Sequence, residues 1–338
     1  MIVISYGTRP EIIKIFPIIH ELNNRNIPHI KIFTGQHPDL VKDITYLIGG
    51  HDLSIDIDRN RSLNDLLSTI IKKISPLITN SKCVIVQGDT TSALGVALAA
   101  FNLNIPVCHI EAGLRTNDLD SPFPEEGNRQ IISRITKYNF APTSIAVDNL
   151  LKEGIEKDKI FLTGNTIIDA CKSFGNEIEY SNKVIITLHR RENFKIIEEL
   201  LLDINDIALN NKDIEFVYIS HPNPNVKSKL GILKSKNINI IEPMSYEDMI
   251  ELISKAKFII SDSGGLQEES TAFSKRILIV RDNTERPEVV TSGFGIIGLP
   301  NLKYNFDIIN NDYKINKDSP FGDGRASKNI VDILEKIK

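Results

Sequence analysis

Residues 183–194 read KVIITLHRRENF, and the fold turns on how that stretch is taken. Its first half, KVIITL, is almost continuously apolar, as a strand covered on both faces is. Its second half places His189, Arg190 and Arg191 just where such a strand would end. The segment before it, KSFGNEIEYSN at 172–182, is polar and rich in turn formers. One pattern closes there, and a second one opens.

Working outward, the same kind of run recurs on both sides. IVIS, IKIF, CVIVQ and PVCHI precede the break, and EFVYIS, KFIIS and RILIV follow it. Between them lie segments with helical periodicity, among them PEIIKIFPIIHELNNR, SLNDLLSTIIKKI and SYEDMIELISKA. Strands that alternate with helices predict parallel sheets with right-handed crossovers, an α/β class. At 338 residues the chain exceeds the size at which one core stops growing. The expectation is therefore two doubly wound Rossmann-type domains facing across a cleft, over 1–172 and 173–325. A final helix at 326–338 is expected to pack back on the first domain.

Composition narrows the function classes. Hydrophobic residues make up 41% and charged residues 25%, an ordinary globular balance. A net charge of −4 leaves no global footprint for nucleic acid or an anionic membrane, so any anion site is local. No apolar run reaches the roughly 20 residues of a membrane span. Cys83, Cys108 and Cys171 lack metal-ligand spacing and read as small buried hydrophobes. MIVISYG begins a strand with no signal-like segment ahead of it, and a reducing cytoplasm is the expected compartment.

Ligands of open parallel sheets bind beyond the carboxyl ends of the strands, so those ends carry the most information. The first ends in GTRPEIIK, where Thr8 and Glu11 have capping-box spacing and Arg9 and Lys14 add cations to a helix start. CVIVQ ends in GDTTS, with Asp89 at the mouth and Thr90 or Thr91 able to cap the next helix. PVCHI ends in Glu111, and the proline-rich SPFP returns the chain to Glu125 and Glu126. KVIITL ends in His189 and two arginines, and EFVYIS ends in HPNPN. KFIIS ends in DSGGLQEES, where Ser263, Gly264 and Gly265 let backbone N–H groups approach phosphate oxygens, and RILIV ends near Arg286. Each has a structural excuse on its own. Their concentration at one edge does not.

Arg9, Lys14, His189 and Arg286 around that glycine cradle fit a pyrophosphate without a P-loop. Glu268 and Glu269 are placed to meet ribose hydroxyls from the first turn of a helix, or, for one of them, simply to favour its dipole. GFGIIG at 293–298 satisfies a dinucleotide fingerprint but lacks a βαβ unit around it, so a turn beside a short strand is expected and no NAD. Clustered carboxylates drive one another's proton affinities apart. Asp89, Glu111 and Glu125 thus suit removing a proton from one face of a sugar and returning it to the other. A glycosidase also uses two carboxylates but does not need so many phosphate ligands.

GTRPEIIK, QGDTTS, HIEAGLR, PEEGNR, LTGNTIIDA, HRREN, HPNPNV, DSGGLQEE and RDNTERPE together closely resemble the non-hydrolysing UDP-N-acetylglucosamine 2-epimerases, in order and over nearly the whole chain. The resemblance implies a GT-B-like fold of two Rossmann-type domains with the UDP-sugar in the interdomain cleft. It implies interconversion of UDP-N-acetylglucosamine and UDP-N-acetylmannosamine with no cofactor and no metal. The route implied is loss of UDP, a 2-acetamidoglucal intermediate and return of UDP. Asp89, Glu111 and Glu125 match the family's catalytic acids, and His189 matches its histidine near the leaving pyrophosphate. Arg9, Lys14, Ser263, Gly264, Gly265, Glu269 and Arg286 match positions that contact the nucleotide. A homodimer is also implied.

Four features depart from the family pattern. Met249 stands where many bacterial members carry an aromatic residue near the uracil, and Met244 replaces a frequent glutamine. After strand 2 the chain reads QHPD, so Gln36 and His37 persist but Asp39 breaks the motif linked to a second, activating substrate. The arginine expected nearby is shifted within DRNRSL. The alternatives are an epimerase of another UDP-2-acetamido sugar, such as a 2,3-diacetamido uronate, or a hydrolysing epimerase that releases N-acetylmannosamine. A GT-B glycosyltransferase and a non-catalytic UDP-sugar sensor rank below both, since all three acids are present.

Overall fold

A computed structural model of the chain describes residues 1–57, 62–175, 177–221 and 223–337. The stretch carrying Arg59 and Arg61 lies outside the described residues. Two compact units emerge, Met1–Ser173 with Phe321–Lys338, and Phe174–Pro320.

Among the described residues, the first unit holds a seven-stranded sheet of β1 (Ile2–Tyr6), β2 (His29–Phe33), β3 (Leu53–Ser54), β4 (Cys83–Gln87), β5 (Val107–Ile110), β6 (Tyr138–Ala141) and β7 (Ile160–Leu162). Their order is β3-β2-β1-β4-β5-β6-β7, every pair parallel. The second unit holds β8 (Lys183–Thr187), β9 (Glu215–Ile219), β10 (Ile238–Ile241), β11 (Phe258–Ser261), β12 (Ile277–Ile279) and β13 (Gly295–Ile297). Their order is β10-β9-β8-β11-β12-β13, again all parallel. Both sheets grow outward from their first strand and then reverse across it. The reversal leaves a crevice at β1/β4 in one unit and at β8/β11 in the other.

The eight runs read from the sequence are all strands. Of the other five described strands, β3, β7, β10 and β13 are sheet edges with fewer buried positions, and β6 is an interior strand whose YNFA run is broken by polar residues. A strand covered on one side only has no continuous apolar run to betray it. GFGIIG is one such case, with Gly295–Ile297 pairing β12 and the rest turning around it.

Each sheet is packed on both faces. In the first unit, Val3, Ile32, Val84 and Val86 meet Ile70, Ile74 and Ile78 and the alanine-rich helix Thr91–Asn102. On the opposite face the helix Arg9–Asn24 packs against Thr166–Lys172 and Ala326–Glu335. Asp169 ties down the last of these, accepting from the Ala326 N–H (3.1 Å), the Ser327 N–H (2.8 Å) and the Ser327 hydroxyl (2.5 Å). In the second unit, Val184, Ile186, Phe216, Phe258 and Phe306 form the core with the helix Ile197–Asn210. Among the described residues, no helix is long and apolar enough to cross a membrane.

Candidate active site

At the β1/β4 crevice the helix Arg9–Asn24 starts after Thr8, with Pro10 in its first turn. The expected capping box does not form. Thr8 makes no cap bond, and its hydroxyl instead donates to Glu11 Oε2 at 2.7 Å. The same oxygen accepts the Gly7 N–H at 2.9 Å, and Oε1 accepts the Thr90 hydroxyl at 3.0 Å. Glu11 is 2% exposed, and burial pushes its carboxyl up to about 7 despite those bonds. The reason for the missing box is competition. The Thr8 hydroxyl donates to the carboxylate, and the carboxylate adds a bond from Thr90 of another loop to those at its own helix start.

Asp89 is not a helix cap either. Thr90 caps Thr91–Asn102 by accepting the Ala93 N–H (3.0 Å), which leaves the Asp89 carboxylate to Arg129 Nε at 2.8 Å. Asn128 donates to the Asp89 carbonyl at 2.8 Å. On the other flank His109 Nε2 lies 2.7 Å from the Gly88 carbonyl. A carbonyl only accepts, so that nitrogen carries the proton. Burial lowers His109 to about 4, helped by Arg115 and Arg129, and it stays neutral.

Glu111 ends β5 with φ 66°, a left-handed residue that is not glycine. Such strain survives only where the surroundings hold it. Lys14 pairs with its carboxylate, Gln87 Nε2 donates at 2.6 Å, and Asn165 Nδ2 donates at 3.3 Å. The two glutamates that follow the proline loop separate in role. Glu126 is fully buried and accepts from the Thr116 N–H (3.0 Å), Arg129 (3.0 Å) and Gln130 (3.0 Å). Burial alone would raise its carboxyl, but these donors hold it below the usual range. Glu125, half-buried at the start of the helix Glu125–Ile135, makes no hydrogen bond or ion pair among the described residues.

The second crevice is built from cations. Asp262 is buried beyond β11 and accepts the N–H groups of His189 (3.0 Å) and Arg190 (2.9 Å) and the Asn193 amide (3.0 Å). It thereby fixes the loop after β8. His189 Nδ1 also faces Asp262 at 3.3 Å, and its ring stacks on His221 with centroids 5.2 Å apart. Burial lowers the His189 pKa, with Asp262 opposing and Arg190 and His221 assisting. Ser263 caps the helix Gly264–Ala272, so Glu268 and Glu269 fall beyond its first turn. Neither therefore serves the helix dipole as the sequence suggested. Glu268 instead receives Arg286 Nε at 2.5 Å.

Arg286 is no spare cation. It also binds Glu285 at 2.7 Å, and Arg281 binds Glu285 at 2.6 Å. Burial would raise the Glu285 carboxyl, but Arg286, Arg281 and Arg190 hold it far below the usual range. A Cβ on Gly264 would stand 2.7 Å from an Arg286 nitrogen and 3.2 Å from an Arg190 nitrogen. Only glycine lets both guanidinium groups reach this helix start. Lys14 is likewise committed to Glu111. The nitrogens left over are Nε of Arg9 and of Arg190, each buried without a hydrogen-bond partner among the described residues.

The residues picked from the sequence thus lie at or just beyond strand ends and helix starts or, for Lys14 and Glu269, in the second turn of the helix that follows. In the first unit these are Arg9, Lys14, Asp89, Glu111 and Glu125, and in the second His189, Ser263, Gly264, Gly265, Glu269 and Arg286. Sequence reasoning missed the residues that hold them, Gln87, His109, Arg129, Asn165, Asp262 and Glu285. Asp262 had a signal, since a buried carboxylate between a strand and Ser-Gly-Gly needs donors.

The family model described as UDP-N-acetylglucosamine 2-epimerase matches residues 20–335. A UDP-N-acetylglucosamine 2-epimerase of Campylobacter jejuni is 39% identical, covering 100% of this chain and 98% of the relative. The crystal structure of the Neisseria meningitidis UDP-GlcNAc 2-epimerase bound to UDP-GlcNAc matches with a TM-score of 0.89 at 35% identity, covering 99% of each chain. MurG from Acinetobacter baumannii, 13% identical with a TM-score of 0.57 and 99% of each chain covered, shares the GT-B-like fold alone.

Proposed function

Because the chain belongs to the UDP-N-acetylglucosamine 2-epimerase family, we propose that it interconverts UDP-N-acetylglucosamine and UDP-N-acetylmannosamine at sugar C2, without metal or nicotinamide. One observation carries this reading. Asp89 and Glu111 stand at the ends of adjacent strands, each gripped by cationic or amide donors, while Glu125 makes no hydrogen bond or ion pair among the described residues. Acids held at neighbouring strand ends can serve as the acceptor and the donor that moving one proton between two faces requires.

The step begins with loss of the C2 proton to one carboxylate. The electron pair forms the C1–C2 double bond, and the anomeric C–O bond breaks to release UDP. The resulting 2-acetamidoglucal is protonated at C2 from the opposite face by a second carboxylate, and UDP returns to C1. Ser263, the backbone of Gly264 and Gly265, Arg190 and Arg286 supply pyrophosphate ligands from the second unit, and Glu269 serves the ribose. His189 is neutral when the site is empty, with Nδ1–H toward Asp262. Its Nε2 then takes a proton from bulk water, and the imidazolium offsets the negative charge that builds on the leaving phosphate. The working form is a homodimer.

The test is proton NMR of UDP-N-acetylglucosamine incubated with the protein in D2O, without metal or NAD. Deuterium at C2 together with UDP-N-acetylmannosamine is the expected result. Free N-acetylmannosamine with equivalent UDP assigns a hydrolysing enzyme instead. UDP binding with no exchange overturns the reaction and points to another UDP-sugar.

A further inference from the structure

We infer that Glu11 is a positioning residue, a buried carboxylate strap across the β1/β4 crevice that fixes where Asp89 stands. Its catalytic consequence rests on the epimerase reading above, but its geometry does not.

A buried carboxylate is costly unless its oxygens are used. Capping of its own helix start uses only part of this capacity, through the Gly7 and Thr8 backbone N–H groups, and does not account for the bond to Thr90. Both oxygens are spent on holding two loops together: Gly7 and Thr8 after β1 on Oε2, and Thr90 after β4 on Oε1. The direction of the Thr90 contact is fixed. Its oxygen already accepts the Ala93 N–H, and Glu11 is the acceptor for its proton. Thr90 is the residue next to Asp89.

The other sides of Asp89 are pinned independently. His109 holds the Gly88 carbonyl, Asn128 holds the Asp89 carbonyl, and Arg129 holds the carboxylate. Glu11 completes that collar from the helix Arg9–Asn24. Lys14 lies three residues along the same helix and therefore on its neighbouring turn, and it pairs with Glu111. One rigid helix thus sets the positions of two acids relative to each other. The second unit repeats the device with Asp262, which joins the loop after β11 to the loop after β8.

A merely structural carboxylate would lower stability and leave each folded molecule as active as before. The test compares Glu11→Gln, Thr90→Val, Thr90→Ser and the Glu11→Gln/Thr90→Val double variant. Glu11→Gln is expected to lower kcat tenfold to a hundredfold, since displacement of a catalytic group by about 1 Å has effects of that order. KM stays within about twofold, because no substrate contact is touched. Thr90→Val behaves like Glu11→Gln, Thr90→Ser recovers most of what Val loses, and the double variant is no worse than the worse single. The NMR resonance of Arg129 Nε–H, which reads its bond to Asp89 without substrate, moves in Glu11→Gln and Thr90→Val.

Unchanged kcat per folded molecule in Glu11→Gln, additive single losses, or an unmoved Arg129 resonance overturns the strap. Should Glu11→Gln not fold, Thr90→Val against Thr90→Ser carries the same comparison. Wild-type protein that does not turn over UDP-N-acetylglucosamine sinks the epimerase reading alone, and the Arg129 resonance still decides the strap.

Discussion

The two units solve one problem with opposite charges. Each is a doubly wound sheet with a crevice where the strand order reverses, and each bridges that crevice with a buried carboxylate, Glu11 or Asp262. In the first unit the groups set around the bridge are acids, Asp89 and Glu111, each restrained by a cation. In the second they are cations, Arg190, Arg281 and Arg286, restrained by Glu285 and Glu268. The same topology thus gathers acids in one unit and cations in the other. Fold alone does not choose between them; the side chains at the strand ends do.

Four changes test that contrast, in order of expected effect. Glu111→Gln should lower kcat by about 10²–10⁴, the range of a lost general acid or base, while UDP binding measured by calorimetry holds. Equal loss of UDP affinity would erase the division between the units. Glu285→Gln strips three arginines of their shared counter-ion and should cost about 3 kcal/mol or more in urea unfolding. If it is neutral, the cations are not held by that carboxylate.

The third test sets the pH responses of the two units against each other. Glu11 titrates higher folded than unfolded, so its favourable contribution is complete below its ordinary value of 4.5 and is lost as pH rises through about 7. Wild type should therefore lose stability relative to Glu11→Gln across that window, by about 3 kcal/mol at most. Glu285 is depressed, so its contribution is present above the usual carboxyl range and fades as pH falls below it. Urea unfolding of wild type, Glu11→Gln and Glu285→Gln between pH 2.5 and 8 reads both trends, and parallel curves would refute the contrast. Smallest is Ser263→Ala, which removes a helix cap and should cost about 1 kcal/mol with weaker UDP binding. Unaltered UDP affinity there would take the helix start out of the phosphate site.

By itself the sequence determined a good deal. Buried parallel strands are continuously apolar, so β1, β2, β4, β5, β8, β9, β11 and β12 stood out, and with them the strand ends that carry Asp89, Glu111, His189 and Ser263. Edge strands such as β3 and β10 did not, because a half-covered strand has mixed polarity. The tertiary structure alone decided which charge meets which. Glu11 is eleven characters from the start of the chain and reads as a capping residue, yet its partner Thr90 arrives from a different strand. Lys14 and Arg286 read as free cations until Glu111, Glu268 and Glu285 are brought against them. Local propensity depends on neighbours along the chain and is written there. Pairing of buried charges depends on neighbours in space, and only the reversal of strand order at each crevice brings those together.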